Sequence, residues 1–192
     1  GRFSVYNSLA AICVGLKLGC SAENIKEALL EVRVPGRSEL VDNKKDLTIM
    51  IDYAHSPESL ENILNAVKSY TRGRVISVFG CGGDRDPGKR PIMGEISGRI
   101  ADYTIITSDN PRTEDPEKIV NQIEEGIKKT NGKYECIVDR IEAIKSAIEM
   151  ANKNDIVVLA GKGHETYQII GHKKYPFDEK EIIKEIIDGQ KS

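Results

Sequence analysis

The sequence lacks the features that would place it in a membrane or outside the cell. No apolar run approaches the roughly 20 residues that span a bilayer, and no basic segment followed by an apolar one indicates a secretory signal. The four cysteines, Cys13, Cys20, Cys81 and Cys136, form no CxxC pair and no metal-type spacing. We therefore expect a cytoplasmic protein with reduced thiols and no membrane partner.

The chain also has little net charge. Its 192 residues carry 28 Lys and Arg against 30 Asp and Glu, which gives a formal net charge of −2. No basic footprint for nucleic acid is therefore present, and we expect no nucleic-acid partner. Hydrophobic residues at 39% and charged residues at 30% are typical of a folded domain and exclude a disordered chain.

The pattern of apolar residues changes once along the chain. The first part predicts two helices, one ending at Gly19 and one capped by Ser21, and the run Val34-Pro35-Gly36 marks a boundary near residue 34. Beyond it, helices of ten to fifteen residues alternate with strands at 47–52, 75–79, 103–107, 135–138 and 155–160. This alternation predicts an α/β fold with a doubly wound, mostly parallel, Rossmann-like sheet.

Polar loops follow four of the predicted strands, at 53–57, 80–90, 108–112 and 161–165, and the second and fourth of them are rich in glycine. The connections that enter the strands are plainer. In a parallel sheet, ligands bind outside the carboxyl ends of the strands. The sequence therefore predicts a polar site at this edge.

The loop of residues 80–90 nearly matches the phosphate-binding pattern G-x-x-x-x-G-K-[ST]. Gly83, Gly88 and Lys89 fit the pattern, but Arg90 stands where a magnesium-binding Ser or Thr is needed. Two interpretations remain for this loop. It is either a flexible surface loop or a loop whose basic side chains meet a phosphate or a carboxylate.

Two of the three histidines, His55 and His164, each follow a strand. A single histidine in such a position is more often structural than catalytic. A zinc site is disfavoured, because no cysteine or third histidine accompanies the pair.

Six segments together resemble the Mur ligase family. They are 1–11 (GRFSVYNSLAA), 35–39 (PGRSE), 52–57 (DYAHSP), 80–90 (GCGGDRDPGKR), 109–112 (DNPR) and 161–165 (GKGHE). The resemblance extends over nearly the whole chain. It is greatest to the members that add meso-diaminopimelate to UDP-N-acetylmuramoyl-L-alanyl-D-glutamate in peptidoglycan synthesis.

The resemblance implies that the chain is one part of a three-domain ligase. Residues 1–34 are expected to be a helical remnant of the central ATPase domain, and residues 35–192 the C-terminal Rossmann-like domain. ATP would convert the substrate's D-glutamyl carboxylate to an acyl phosphate, which the incoming amine attacks. The N-terminal and central domains are missing from this chain, which has no G-x-x-x-x-G-K-[ST]. The resemblance implies that the catalytic residues lie upstream and that the Mg²⁺ ligands lie in the missing central domain.

The resemblance also assigns residues to the nucleotide. Asn7 matches an asparagine that contacts adenine, and Arg37 matches an arginine that reaches the phosphates. Asp52 matches the carboxylate that holds the ribose hydroxyls, and His55 lies beside the nucleotide.

A second group of residues matches the pocket for the added amino acid: Arg85, Asp109, Asn110, Pro111, Arg112, Gly161 and Glu165. Meso-diaminopimelate carries two ammonium and two carboxylate groups, which suit carboxylate and guanidinium partners respectively. Arg112 is informative, because lysine lacks the second carboxylate that an arginine would pair with. The alternative is that Arg112 caps the following loop or pairs with Glu114 at the surface, and has no influence on specificity.

A hypothesis of a different class also stands. The chain would then be a free-standing Rossmann-like module that binds a nucleotide or an amino acid without catalysis. The two N-terminal helices favour the ligase, because they fit a remnant of a neighbouring domain.

Overall fold

The computed structural model describes residues 2–189, with side chains from Val5 onward. Residues 1 and 190–192, which the predictions above include at the two ends, lie outside the described residues. The chain divides into two compact units, the first ending at Val34 and the second beginning at Pro35.

The first unit consists of helices α1 (Arg2–Lys17) and α2 (Ala22–Glu31). Gly19, with a φ of 83°, follows α1 in the left-handed conformation that commonly ends a helix. Ser21 caps α2 by accepting a hydrogen bond from the Asn24 amide. The predicted pair of helices, with both of these boundary residues, is confirmed.

The second unit contains a six-stranded sheet, a separate hairpin and five helices. The strands are β1 (Glu39–Leu40), β2 (Thr48–Asp52), β3 (Val75–Phe79), β4 (Tyr103–Ile106), β5 (Tyr134–Cys136), β6 (Ile156–Ala160), β7 (Tyr167–Ile170) and β8 (Lys173–Pro176). The helices are α3 (Pro57–Lys68), α4 (Lys89–Ile100), α5 (Pro116–Ile127), α6 (Arg140–Met150) and α7 (Glu179–Gly189). The sheet order is β1-β2-β6-β3-β4-β5, and β1 is its one antiparallel strand.

Helices cover both faces of the sheet. Alternate residues of the central strands, such as Ile49, Val78 and Leu159, pack against apolar side chains of α6 and α7. Helices α3, α4 and α5 pack in a row on the other face, where Ser97 of α4 bonds Thr104 of β4. The predicted α/β, doubly wound, mostly parallel fold is confirmed.

Most boundaries lie within two residues of the predicted ones. Ser56 and Ser59 form a reciprocal capping box at the start of α3. Helix α4 begins at Lys89 and includes Pro91, because the first helical turn tolerates a residue without an N–H. The predicted strand at 135–138 is found as β5, which begins one residue earlier, at Tyr134, and ends two residues earlier, at Cys136.

The antiparallel hairpin of β7 and β8 was not predicted. Strand β8 is exposed along its length and carries two lysines and a proline, so it lacks the apolar alternation that predicts a strand. The hairpin joins the rest of the unit through a bridge between Ile170 and Arg112.

The strand register aligns the carboxyl ends of four strands. Asp52 of β2 and Phe79 of β3 both pair with Ala160 of β6, and Phe79 also pairs with Ile106 of β4. The four polar loops therefore leave the sheet side by side, which confirms the prediction that they collect at one edge.

Candidate functional site

The loop after β4 and the loop after β6 are joined by buried polar side chains. Asp109 and Asn110 are only 6% and 4% exposed. The Asn110 amide nitrogen Nδ2 donates to Glu165 Oε2 at 2.9 Å. Gly161, with a φ of 117°, leaves room for the Asp109 carboxylate, because an added Cβ would lie 2.9 Å from Asp109 Oδ2. Four predicted amino-acid-pocket residues therefore come together.

A lysine that the sequence analysis did not select lies at the centre of this group. Lys162 is fully buried, and its Nζ donates to the Tyr167 carbonyl at 2.7 Å and to Asn110 Oδ1 at 3.1 Å. The same nitrogen lies 3.5 Å from Asp109 Oδ1 and 3.7 Å from Glu165 Oε2. Burial lowers the pKa of Lys162, and the charge of Asp109 opposes that shift.

Arg112 is half-buried and lies against the glycine loop after β3. Its backbone is left-handed, with a φ of 52°, and its Nη1 donates to the Gly83 carbonyl at 2.8 Å. A Cβ on Gly82 would lie 2.8 Å from that nitrogen and 3.7 Å from Cγ of Arg85. Arg85 and Arg112 therefore flank the same point, which brings two guanidinium-bearing side chains to one side of the site.

Hairpin β7–β8 holds the 109–112 loop through its backbone and one side chain. Gln168 Nε2 donates to the Asp109 carbonyl, and the Ile169 amide donates to Asn110 Oδ1. The Arg112 amide donates to the Ile169 carbonyl, and the Arg112 carbonyl accepts from Gly171. These bonds account for the left-handed backbone at Arg112, a conformation that a non-glycine residue adopts only when its surroundings enforce it.

Pro111 is buried, and its carbonyl packs on the glycine loop. A Cβ on Gly83 would lie 1.9 Å from the Pro111 oxygen, so only glycine allows this approach. The Gly83 amide also donates to the Asn110 carbonyl at 2.9 Å. The loop after β3 is thus fixed against the loop after β4.

The contacts of Arg90 show what its side chain does at the position where the phosphate-binding pattern needs Ser or Thr. It is 1% exposed, and its two terminal nitrogens bond both oxygens of Glu114, at 2.8 and 2.9 Å. Its basic group therefore meets a carboxylate of the protein itself. Hydrogen bonding to Arg90 holds the pKa of Glu114 below its usual value. Glu114 thus pairs with Arg90, whereas Arg112 has no ion pair with any carboxylate in residues 2–189.

The predicted nucleotide residues of the second unit surround Tyr53. The Arg37 guanidinium carbon lies 4.9 Å from the centre of the Tyr53 ring. The rings of His55 and His164 lie 4.6 and 5.4 Å from it. Burial raises the pKa of Tyr53, with contributions from the charges of Glu165 and Asp109. Asn7 belongs to α1, in the first unit.

Asp52 and His55 are each tied to nearby backbone. Asp52 is buried, and its Oδ2 accepts hydrogen bonds from the Ser38 amide at 2.7 Å and the Ser38 hydroxyl at 3.3 Å. His55 Nδ1 lies 2.8 Å from the Tyr53 carbonyl. Since a carbonyl oxygen only accepts, Nδ1 is the donor of this hydrogen bond.

Close backbone packing joins the loop that carries Arg37 to the loop after β6. A Cβ on Gly36 would lie 2.1 Å from the His164 nitrogen. Gly36 and Gly163 both have a positive φ, of 68° and 56°. Residues 36–39 therefore border the same edge as the four loops.

A buried ion pair lies beneath the site. The Arg140 guanidinium is bonded to Glu179 at 2.8 Å, and both side chains are almost completely buried. Arg140 also donates to the main-chain oxygens of Ser108 and Ala160, where β4 and β6 lead into their loops. Sequence reasoning missed this pair, because no local pattern links residues 39 positions apart.

Three further observations bear on the sequence predictions. All four cysteines are unpaired, as predicted, and burial raises the pKa of Cys81 to about 12. None of the helices in residues 2–189 is long and apolar enough to cross a membrane. Within the same residues, no group of three His, Cys, Asp or Glu side chains is arranged to hold a metal ion.

Comparison with known proteins identifies the family. The profile of the family described as "Mur ligase, glutamate ligase domain" matches residues 36–163. The chain belongs to the Mur ligase family. The matched region of this Mur ligase segment contains the loops at 53–57, 80–90 and 108–112 and most of the loop after β6.

Curated relatives and a solved structure agree with this family. The chain is 58% identical to a UDP-N-acetylmuramoyl-L-alanyl-D-glutamate--2,6-diaminopimelate ligase of Caldanaerobacter subterraneus, over 97% of this chain and 39% of that protein. It is 52% identical to such a ligase of Clostridium acetobutylicum, over the same shares. A solved ligase of that name superposes with a TM-score of 0.78 at 39% identity, covering all of this chain and 39% of the other. The Mur ligase segment thus spans about two fifths of the length of these relatives.

Proposed function

We propose that this chain is the C-terminal part of an ATP-dependent ligase that adds meso-diaminopimelate to UDP-N-acetylmuramoyl-L-alanyl-D-glutamate in peptidoglycan synthesis. Within it, residues 1–34 would belong to the central ATPase domain and residues 35–192 would form the C-terminal domain. The relatives named above, with their identities of 52 and 58%, support this proposal.

The observation that carries the proposal is the separation of charge across one group of loops. The Asp109 and Glu165 carboxylates lie beside Lys162, and the Arg112 guanidinium lies against the glycine loop, where Arg85 Cγ also approaches Gly82. Asn110 connects them, since its Nδ2 bonds Glu165 and its carbonyl lies 3.5 Å from Arg112 Nη1. Such a site is complementary to an amino acid end that carries both an ammonium and a carboxylate.

In this proposal the following residues bind the incoming amino acid: Arg85, Asp109, Asn110, Pro111, Arg112, Gly161 and Glu165. The guanidinium groups would hold the carboxylate at the distal end of meso-diaminopimelate, and the carboxylates would hold its ammonium. The reactive amine at the other end would then project towards the acyl phosphate. The domain's contribution to the rate is the orientation of that amine.

ATP would be held in part by Arg37, Asp52 and His55, with Asn7 contacting the adenine. The side chains around Tyr53 suit such a ligand, because they combine the Arg37 cation with the aromatic rings of Tyr53 and His55. Mg²⁺ would neutralise phosphate charge in the complete enzyme. No set of metal ligands is formed by residues 2–189, so its ligands are proposed to lie elsewhere in the protein. A cytoplasmic location follows from the proposed use of ATP and a UDP-linked substrate.

The experiment is an assay of the full-length protein with ATP, Mg²⁺, UDP-N-acetylmuramoyl-L-alanyl-D-glutamate and meso-diaminopimelate. We expect a tripeptide product detected by mass spectrometry, with one inorganic phosphate released per product. Binding of ATP or the amino acid without product would instead favour the binding module. Omission of the amino acid is the control, since phosphate release should then fall to background.

A further inference from the structure

We infer that Lys162 is a positioning residue that orients Asn110 and, through it, the Glu165 carboxylate for the incoming amino acid. The inference rests on the proposed function, because it concerns the proposed pocket. Lys162 is fully buried at the loop edge, where long cationic side chains are ordinarily exposed. Its bonds all go to this pocket and to the adjoining hairpin.

The orientation of the Asn110 amide is fixed by two hydrogen-bond donors. Asn110 Oδ1 accepts from Lys162 Nζ at 3.1 Å and from the Ile169 amide at 2.9 Å. Both partners are donors with no acceptor capacity, so the oxygen of Asn110 has to face them. The NH₂ group is then directed to Glu165, to which it donates at 2.9 Å. If the amide were flipped, its NH₂ group would face the Lys162 ammonium and the Ile169 N–H, neither of which can accept a hydrogen bond.

The Lys162 ammonium lies within 3.7 Å of both pocket carboxylates, those of Asp109 and Glu165. Asp109 Oδ1 is buried and has no hydrogen-bond partner within residues 2–189, so this cation is its nearest compensation. Arg140 and Glu179 also act on Lys162, but they are paired with each other at 2.8 Å. The positive charge of Lys162 therefore offsets the repulsion between the two neighbouring carboxylates before the substrate ammonium binds.

The contacts of Lys162 separate amino-acid binding from nucleotide binding. The described contacts of Lys162 are with Asn110, Asp109, Glu165, Tyr167 and the ring of Phe177. None of them is with the proposed nucleotide residues of the second unit. Loss of the ammonium should therefore disturb the amino-acid pocket selectively.

The test is steady-state kinetics of the full-length enzyme with Lys162→Met, which has a similar length but neither charge nor donor. We expect the KM for meso-diaminopimelate to rise about tenfold or more, because a buried charged hydrogen-bond partner is lost. The KM values for ATP and for the UDP-linked substrate should stay within about twofold of wild type, since binding free energy there is unchanged. Lys162→Gln, which restores a donor without the charge, should recover part of the loss and is the variant to use if Lys162→Met does not fold.

Two control variants distinguish positioning from general loosening. Arg74→Met breaks a partly buried pair with Asp155 near the amino ends of the strands, so it should lower the thermal midpoint without changing the KM for the amino acid. Lys128→Met removes a surface pair with Glu124 on α5 and should behave as wild type. An unchanged amino-acid KM in Lys162→Met and Lys162→Gln, or an equal rise in all three KM values, overturns the inference. A wild-type enzyme without ligase activity overturns the proposed function itself.

Discussion

The Nη1 of Arg112 donates a hydrogen bond to the Gly83 carbonyl, 2.8 Å away, and thereby joins the loops that follow β4 and β3. This bond uses one nitrogen of the guanidinium. Glu114, the candidate surface partner of Arg112, is bonded to Arg90 instead. Arg112 is therefore a half-buried cation whose charge has no carboxylate partner within residues 2–189, which favours a role in binding a substrate carboxylate.

Arg112 should determine the choice between meso-diaminopimelate and lysine. Without the second carboxylate, lysine leaves a guanidinium unpaired, so we expect a preference for meso-diaminopimelate on the order of tens- to thousands-fold. The Arg112→Ala variant should lose most of this preference for meso-diaminopimelate. The Arg112→Lys variant should also discriminate poorly between the two amino acids, because an ammonium cannot form a bidentate fork. The measurement is the ratio of kcat/KM for the two amino acids. Arg99→Ala, which removes an exposed arginine of α4, is the control, and an unchanged ratio in Arg112→Ala contradicts the assignment.

Asp52→Ala should raise the KM for ATP more than the KM for the amino acid. The carboxylate is proposed to hold ribose hydroxyls, away from the reacting centre, so the change removes uniform binding. The structure adds a second reason, because Asp52 also bonds Ser38, the neighbour of Arg37. Kinetics of the full-length enzyme with each substrate varied in turn measures the effect. Asp46→Ala is an exposed control, and a selective loss of amino-acid affinity would show that the nucleotide role is wrong.

Replacing one partner of the buried Arg140–Glu179 pair should lower the free energy of unfolding strongly. Removing one partner leaves an uncompensated buried charge, so Arg140→Met or Glu179→Gln should reduce the free energy of unfolding by about 3–5 kcal/mol. Replacing both, as in Arg140→Met with Glu179→Leu, should cost much less. Urea unfolding of the chain measures this. Glu124→Gln, which breaks a surface pair, should cost only about 0–1 kcal/mol, and equal losses at the two sites would refute the argument.

Asp155 should contribute stability that is lost in acid. Burial would raise the pKa of Asp155, but hydrogen bonds from the Arg74 side chain and from the amides of Arg74 and Asn152 outweigh it, so the pKa lies below its usual value. A depressed carboxyl pKa stabilises the fold above the unfolded value of about 3.9 and loses this effect as the pH falls through the folded value. The stability difference between wild type and Asp155→Asn should therefore be constant near neutrality and shrink below about pH 4. Urea unfolding at several pH values tests this, and a difference that grows in acid would have the wrong sign.

The 192-residue chain alone should not turn over ATP. Phosphoryl transfer depends on cations placed around the phosphates. In the glycine loop of this chain, Arg90 stands where the magnesium-binding Ser or Thr is needed, and its guanidinium is paired with Glu114. Phosphate release by the purified chain should equal that of a mock preparation. Sustained turnover above that background would show that this segment contains the ATPase machinery.

The sequence predicted the edge of the sheet at which polar residues collect, because these residues end or follow parallel strands. Asp52, Asp109 and Gly161 could be located because parallel strands bring all their carboxyl ends to one edge. The grouping of Arg85 with Arg112 was carried by the family resemblance. The structure adds the reason, which is the close approach that Gly82 and Gly83 allow.

What the sequence could not reveal are the buried cations. Lys162 lies between two glycines, a context that predicts exposure, and its burial depends on a hairpin formed by the residues that follow it. Arg90 and Arg140 look like ordinary helix-surface residues until their partners, Glu114 and Glu179, are brought to them by the tertiary fold. A buried charge is specified by such long-range pairing and leaves no local periodic signal.

The position of β6 in the sheet has a consequence for how the domain is made. Strand β6 lies between β2 and β3, although it follows β5 in the sequence. In this strand order only β6 connects β1–β2 to β3–β4–β5, so before residues 156–160 are synthesised the native pairing leaves each group of strands with an unpaired inner edge. Such edges are prone to wrong pairing. The last parallel strand to be synthesised is therefore the one that closes the sheet, and the same event brings Asp52, Lys162 and Asn110 to one edge. The β7–β8 hairpin follows β6 in the sequence, so its bonds to Asp109, Asn110 and Lys162 complete the pocket only after the sheet has closed.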